Sequence, residues 1–163
     1  MKIAILADIH GNEPYLEKAK QIIKTEKAKR VIVCGDIESD ETFRELDTWK
    51  EKIYLALGNA DYSIREKLDL GVLYPEKMEI VLDFGVINVD DIKIAYCHNN
   101  VLAQRLAGEG KYDFVFYGHT HTPWEQQIGK TMLINPGEVS ARYGKPTMAL
   151  FDTKTRKTKL ILI

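Results

Sequence analysis

The sequence has few of the features that mark disulfide-bonded or nucleic-acid-binding proteins. It has only two cysteines, Cys34 and Cys97, and their spacing matches neither a zinc knuckle nor a redox motif. We therefore expect both to be reduced, buried and small apolar core residues. The formal net charge is −1, which excludes a strong overall positive field that would attract nucleic acid or an anionic membrane. A local basic patch is compatible with this balance.

Long hydrophobic runs are also missing. No apolar run approaches the roughly 20 residues that a membrane-spanning helix requires, and the apolar start at residues 1–7 is too short for a signal peptide. We therefore expect a cytoplasmic protein with no membrane partner. Linkers, repeats and low-complexity tracts are absent, and a length of 163 residues suits one domain better than two. The prediction is a single domain over residues 1–163, and self-association of identical copies stays open.

The spacing of apolar residues predicts an α/β fold. Residues 13–27 carry the stripe of an amphipathic helix, with Asn12 as its cap and Pro14 in its first turn. Further helices are predicted over 41–49, opened by Ser39 or Asp40, and over 62–68 and 100–108. Strands are predicted over 2–7, 30–34, 52–57, 79–82, 86–89, 92–97, 113–117, 124–128, 131–134, 147–151 and 157–162. Alternating strands and helices followed by strand pairs indicate mixed sheets.

All four histidines lie just after predicted strands, together with carboxylates and an amide. The runs that hold them are Asp8-Ile9-His10, Gly35-Asp36, Gly58-Asn59-Ala60-Asp61, Cys97-His98-Asn99-Asn100 and Gly118-His119-Thr120-His121. In open α/β sheets, ligands bind in the crevice beyond the carboxyl ends of the strands, so we expect these runs to meet there. Imidazole combined with carboxylate suits divalent transition metals, whereas calcium or magnesium sites are mostly oxygen.

The spacing within the runs predicts which side chains share an ion. Side chains two residues apart in an extended segment project to the same side, so Asp8 and His10 can bind one ion. His119 and His121 follow the same rule, or diverge to two neighbouring ions if their loop is bent. Asp36 follows a glycine, which permits close backbone approach or an unusual φ, and its carboxylate can bridge two cations.

The set of donors is too large for one ion and suits two ions that share a bridge. Its members are Asp8, His10, Asp36, Asn59, His98, His119 and His121. Two divalent ions and two carboxylates leave a charge of about +2, which favours a phosphate anion, and ions about 3.5–4 Å apart can hold a bridging hydroxide and clamp the oxygens of an in-line displacement. The expected partner is thus a small phosphoester substrate.

At these residues the chain resembles the calcineurin-like metallophosphoesterase superfamily, from Asp8 to about Gly144, and within it the small single-domain prokaryotic phosphodiesterases. The resemblance implies a four-layer sandwich of two mixed β-sheets flanked by helices. It implies that one metal is bound by Asp8, His10, Asp36 and His121, and a second by Asp36, Asn59, His98 and His119. Manganese is the expected metal, and iron, zinc, nickel and cobalt are alternatives. The implied activity is phosphodiester hydrolysis, for which we predict the catalytic residues Asp36, Asn59, His98 and Asp61.

Two positions depart from the motifs of this superfamily. Many members have a histidine after the asparagine, which is thought to assist departure of the leaving group, and here that residue is Ala60. Asn100 replaces a second histidine that is often near the substrate phosphate. Loss of one general acid typically lowers the rate about 10²–10⁴-fold, so we expect slow turnover or a restriction to good leaving groups. Asp61 is interpreted as a residue that orients a ligand, with a role as the missing proton donor left open.

Two other functions are weighed against a phosphodiesterase. One is a protein-interaction scaffold on the same fold with little or no catalysis, against which the complete ligand set argues. The other is a phosphomonoesterase, which is disfavoured because no obvious cluster of arginines lies beside the motifs to bind a dianion. A structural zinc site is excluded because such sites are tetrahedral and usually rich in cysteine.

Overall fold

Residues 1–163 are all described by the structure, a computed structural model, and the first half of the chain alternates strands with helices. Its elements are β1 (Lys2–Leu6), α1 (Glu13–Glu26), β2 (Arg30–Val33), α2 (Asp40–Asp47), β3 (Lys52–Ala56), a 3₁₀ turn (Asn59–Asp61) and α3 (Tyr62–Asp69). The second half has one helix among strands: β4 (Glu79–Val81), β5 (Phe84–Val89), β6 (Ile92–Cys97), α4 (Asn100–Gly108), β7 (Phe114–Phe116), β8 (Trp124–Ile128), β9 (Thr131–Asn135), β10 (Thr147–Asp152) and β11 (Lys157–Leu162). No helix is long and apolar enough to cross a membrane.

The strands form two mixed sheets, which confirms the predicted fold class. The first sheet has the order β11-β10-β1-β2-β3-β4, and the second has the order β5-β6-β7-β9-β8. In the first sheet β1 to β4 are parallel, while β10 is antiparallel to β1 and to β11. In the second sheet β6, β7 and β9 are parallel, and β5 and β8 pair with them in antiparallel fashion.

The predicted four layers follow from strands that are apolar on both faces. Alternate residues of a strand point to opposite faces of its sheet. Thus Ala4 and Leu6 pack with the helices of the first half, whereas Ile3 and Ile5 pack against the second sheet. The far side of the second sheet is covered by α4, where Leu106 belongs to a separate apolar cluster. The order of layers is helices, sheet, sheet, helix.

Local sequence signals explain the helix starts. The Asn12 side chain accepts a hydrogen bond from Tyr15 N–H at 3.3 Å, and Pro14 lies in the first turn of α1. Ser39 caps α2 by accepting a hydrogen bond from Thr42 N–H at 3.0 Å. Both caps confirm the prediction. They also fix where the preceding loops end, and these loops carry the candidate ligands.

Candidate metal centre

The candidate ligands follow five strands whose carboxyl ends meet at one edge of the sandwich. The strands β1, β2 and β3 are parallel neighbours in the first sheet, and β6 and β7 are parallel neighbours in the second. Two hydrogen bonds join the sheets at this edge. His119 N–H donates to Asp8 Oδ2 at 3.0 Å, and His98 Nδ1 donates to the Cys34 carbonyl at 2.8 Å.

The first group of ligands consists of Asp8, His10, Asp36 and His121. One potential ligand atom from each lies within 4.8 Å of those of all the others. The Nε2 atoms of His10 and His121 face each other at 3.3 Å, and His10 Nε2 is 3.7 Å from Asp36 Oδ2. Metal–imidazole bonds are about 2.0–2.1 Å long. Two nitrogens bound to one ion are therefore separated by roughly the distance observed between the Nε2 atoms of His10 and His121. The residues therefore fit a shared divalent ion.

The second group lies on the other side of Asp36. His98 Nε2 is 2.9 Å from Asn59 Oδ1, 3.1 Å from His119 Nδ1 and 3.4 Å from Asp36 Oδ2. The same Asp36 oxygen is thus close to the imidazole of His10 in the first group and to that of His98 in the second. A carboxylate in this position has the geometry of a bridge between two ions.

The backbone at five of the seven candidate ligands is left-handed rather than extended. The φ angles are 53° at Asp8, 49° at His10, 55° at Asp36, 72° at His119 and 58° at His121. The extended geometry that we predicted for Asp8 and His10 is therefore wrong, although both side chains do enter one group. The loop of His119 and His121 is bent, which sends these two imidazoles to different groups. Non-glycine residues at positive φ are uncommon and concentrate at functional sites.

Two glycines allow the loops to approach this closely. Gly35 has a φ of 81°, and a Cβ atom there would lie 2.7 Å from His98 Nδ1. A Cβ atom on Gly58 would overlap the Asp36 carboxylate. Side chains at either position would displace a candidate ligand, which is the close-approach role predicted for Gly35.

Two glutamates that the sequence analysis did not select hold the imidazoles of the first group. Glu38 accepts a hydrogen bond from His10 Nδ1 at 2.7 Å, and Glu138 accepts one from His121 Nδ1 at 2.8 Å. Such bonds fix the ring tautomer and leave Nε2 free to bind metal. Glu38 is two residues from Asp36, but no local pattern separates it from other surface glutamates. Glu138 directly follows Asn135-Pro136-Gly137, a turn by composition in which no pattern indicates a residue that orients a ligand.

The buried carboxylates of the site favour the binding of cations. Burial, together with the negative charges of Asp36 and Glu138, raises the pKa of Asp8 to about 8. Burial lowers the pKa of His98, an effect that Asp36 partly opposes. Burial also disfavours ionised Glu138, but hydrogen bonds from His121 and Ser140 and from backbone N–H groups outweigh it and bring its pKa to about 2. Divalent cations would compensate the charge of these carboxylates.

Asp61 is buried beneath the Asp36 loop and accepts hydrogen bonds from backbone N–H groups only. These come from Asp36 at 2.9 Å, Glu38 at 2.8 Å and Gly58 at 2.8 Å. Both carboxylate oxygens are occupied in tying the loop after β2 to the loop after β3. This arrangement favours the orienting role over the role of proton donor.

The other residues noted in the sequence lie around the ligands. Asn99 caps α4 through Val101 N–H at 2.9 Å, and Asn100 is the first residue of that helix. Asn135 donates from Nδ2 to the Gly118 carbonyl at 2.8 Å and so supports the histidine loop. Both cysteines are free and buried, as predicted.

Arg142 and Tyr143 are far from the ligand motifs in sequence but lie beside the first group. Arg142 Nη2 donates to Glu38 Oε2 at 2.8 Å, the oxygen that also binds His10. The Tyr143 ring stands edge-on to His121, with ring centroids 4.8 Å apart and an interplanar angle of 88°. Arg142 is a single arginine paired with a carboxylate, so it does not form a cluster of arginines that could bind a dianion.

Fold and ligand geometry together define a calcineurin-like phosphoesterase. The sequence profile of the calcineurin-like phosphoesterase superfamily domain matches residues 1–156. The chain belongs to this superfamily.

Known phosphodiesterases are similar to the chain over all or most of its length. Phosphodiesterase MJ0936 of Methanocaldococcus jannaschii is 32% identical over 166 aligned residues, which cover 100% of this chain and 99% of that protein. A solved structure of an archaeal phosphodiesterase has a TM-score of 0.86 at 31% identity, with full coverage of both chains. Phosphodiesterase YfcE of Escherichia coli is 23% identical over 158 residues, covering 88% of this chain and 82% of that protein.

Proposed function

We propose that this protein is a metal-dependent phosphodiesterase with two divalent metal ions on either side of Asp36. The observation that carries the proposal is the pair of imidazoles, His10 and His98, that face one Asp36 oxygen at 3.7 and 3.4 Å. The first ion would be bound by Asp8, His10, Asp36 and His121, and the second by Asp36, Asn59, His98 and His119. Similarity to proteins named phosphodiesterases supports the reaction class.

The side chains at and around the candidate ligands indicate how such a site would work. When bound, two divalent ions would supply Lewis-acid activation of water and would stabilise charge on the phosphate oxygens. Glu38 and Glu138 hold two imidazoles with Nε2 directed inward. Asp61 fixes the backbone that carries Asp36. Asn59 and His119 are exposed, so the second group is open to a substrate from solution.

The donor chemistry narrows the choice of metal. The set mixes carboxylate, amide and imidazole and includes no thiolate, because Cys34 and Cys97 are buried in apolar clusters. Such a set suits manganese, iron, cobalt, nickel or zinc. We propose manganese as the first metal to test.

We expect turnover of an aryl phosphodiester to exceed that of the matching monoester. Arg142 is the one arginine that the structure shows beside the ligands, and its guanidinium is paired with Glu38, which reduces its capacity to neutralise a dianion. The measurement compares kcat/KM for bis(4-nitrophenyl) phosphate and 4-nitrophenyl phosphate with manganese, cobalt, nickel and zinc. Faster monoester turnover with every metal would support a phosphomonoesterase. Absence of turnover with both esters would favour the scaffold function.

Glu138→Gln should weaken metal binding at the first site about 10–100-fold, the usual effect of losing a residue that orients a ligand. Glutamine can accept only at its carbonyl oxygen, so either His121 Nδ1 or the backbone donors would face its NH₂ group. Titration with manganese, followed by calorimetry, measures the change. Glu79→Gln is the matched control because Glu79 is exposed on β4 and pairs with Lys52. Equal affinities in the Glu138 variant and the wild type would contradict the proposed role.

A further inference from the structure

Tyr143 is an exposed aromatic residue that lies beside the first group of ligands. Its side chain is 81% exposed, the largest value among the exposed large hydrophobic residues of this chain. The buried aromatic side chains, in contrast, belong to the apolar clusters that lie between the two sheets or between a sheet and its helices. Single exposed apolar residues are common on protein surfaces, so it is the position of Tyr143 beside His121, more than its exposure, that points to a role in recognition.

The backbone of Tyr143 is fixed by the residue that also fixes a candidate ligand. Glu138 is fully buried and accepts hydrogen bonds from the N–H groups of Tyr143 at 2.7 Å and Gly144 at 2.6 Å. The other Glu138 oxygen accepts hydrogen bonds from His121 Nδ1 at 2.8 Å and Arg142 N–H at 3.1 Å. One carboxylate therefore sets the position of the His121 imidazole and of the segment that carries the exposed ring.

Most of the Tyr143 side chain remains open to solvent beside the imidazole. The ring planes of Tyr143 and His121 meet at 88°, with ring centroids 4.8 Å apart. His121 Nε2 faces His10 Nε2 at 3.3 Å and Asp8 Oδ1 at 3.7 Å. The ring thus borders the ligand group without taking part in it. A planar group attached to a phosphate at the metal centre would be within reach of this ring.

We propose that Tyr143 determines substrate specificity by stacking on a planar aromatic group of the substrate. This aromatic group belongs to the ester substituent that stays attached to phosphorus and not to the leaving group. The proposal rests on the phosphodiesterase function proposed above and names the substrate class: diesters with an aryl or nucleobase substituent. Aromatic pairs of this kind prefer offset or edge-to-face contact. Base stacking on protein aromatic side chains depends little on which base is present.

The test keeps the leaving group constant and changes only the retained group. Three 4-nitrophenyl diesters would be compared, in which the second ester group is methyl, 4-nitrophenyl or the 5′-oxygen of thymidine. Tyr143→Ala should raise KM about three- to tenfold for the aryl and thymidine esters, given the usual strength of such contacts, and leave kcat and the methyl ester nearly unchanged. Tyr143→Phe should behave as wild type. Tyr143→Leu should resemble the alanine variant if stacking, rather than apolar contact, is responsible.

Tyr74→Ala is the matched control, because Tyr74 is 74% exposed and has no contact with the candidate ligands. It should leave all three esters unchanged, and manganese content should be equal in every variant. Equal effects of Tyr143→Ala on the methyl and aromatic esters, or no effect on any, would overturn the stacking proposal while leaving the phosphodiesterase function intact. Absence of wild-type turnover with all three esters would overturn the proposed function itself. An effect confined to the aryl or to the thymidine ester would identify which aromatic group is bound.

Discussion

Asp36→Asn should abolish phosphodiester hydrolysis and reduce bound metal from two ions per chain to one or none. The proposed bridge loses its charge, and stabilisation by metal ions is worth several kcal/mol in the transition state. At about 1.4 kcal/mol per factor of ten, we expect a loss of turnover on the order of 10³-fold or more. Metal analysis after dialysis against excess manganese, together with kcat for bis(4-nitrophenyl) phosphate, measures both effects.

The geometry around Asp36 explains why the isosteric amide cannot substitute. Asp36 Oδ1 accepts a hydrogen bond from Ala60 N–H at 2.8 Å, and Oδ2 faces His10 and His98. Asparagine has only one carbonyl oxygen. It either satisfies the Ala60 N–H group and presents an NH₂ group to the metals, or binds metal and leaves the N–H group without its acceptor.

Three variants serve as comparisons for Asp36→Asn. His121→Ala should weaken mainly the first site, and His119→Ala mainly the second, because their imidazoles belong to different groups. Asp69→Asn removes the same charge at an exposed position at the end of α3 and should change neither metal content nor rate. Wild-type protein that holds at most one ion per chain in excess manganese would contradict the dinuclear proposal.

The fold could be predicted because its signals are local. Strands such as β1 are apolar on both faces, which requires a layer on each side, and Asn12 and Ser39 are caps that can be recognised from a few neighbouring residues. The candidate ligands could be predicted in the same way, since each lies in the segment that follows a predicted strand. Parallel strands then bring their carboxyl ends together without any information about distant contacts.

The surroundings of the ligands could not be predicted because they depend on sheet order. β10 pairs with β1, and the loop before it is held by hydrogen bonds from Val139 N–H to the Ala7 carbonyl at 3.0 Å and from Ser140 N–H to the Asp8 carbonyl at 3.1 Å. This pairing brings Glu138 and Tyr143 to His121 across a long sequence separation. No periodicity or motif in the chain encodes that contact.

The left-handed backbone at five of the candidate ligands could not be predicted from the sequence either. Aspartate and histidine tolerate positive φ better than β-branched residues, but each single position favours other conformations. At Asp8 and His10 the conformation is imposed by hydrogen bonds from their N–H groups to the carbonyls of Gly35 at 3.0 Å and Asp36 at 2.9 Å. The ligand loops after β1 and β2 therefore shape one another.

Ala60→His should accelerate hydrolysis of alkyl phosphodiesters much more than hydrolysis of nitrophenyl diesters. An alkoxide needs a proton as it leaves, whereas a nitrophenolate leaves unassisted, and a positioned general acid contributes about 10²–10⁴-fold. Ala60 is partly exposed in the 3₁₀ turn beside Asn59, so an imidazole has room there. The measurement is the dependence of kcat/KM on leaving-group pKa in a series of diesters, which should be steep in the wild type and shallower in the variant.

Asp61→Asn separates this explanation from the rival in which Asp61 already donates the proton. Loss of activity confined to poor leaving groups would assign the proton to Asp61. The three backbone hydrogen bonds that Asp61 accepts lead us to expect a different result, in which all esters slow together and metal binding weakens because the Asp36 loop is released. A wild-type rate that barely changes across leaving groups of widely different pKa would show that no acid is missing. In that case the Ala60 position would not limit the reaction, and Ala60→His would have no rate to restore.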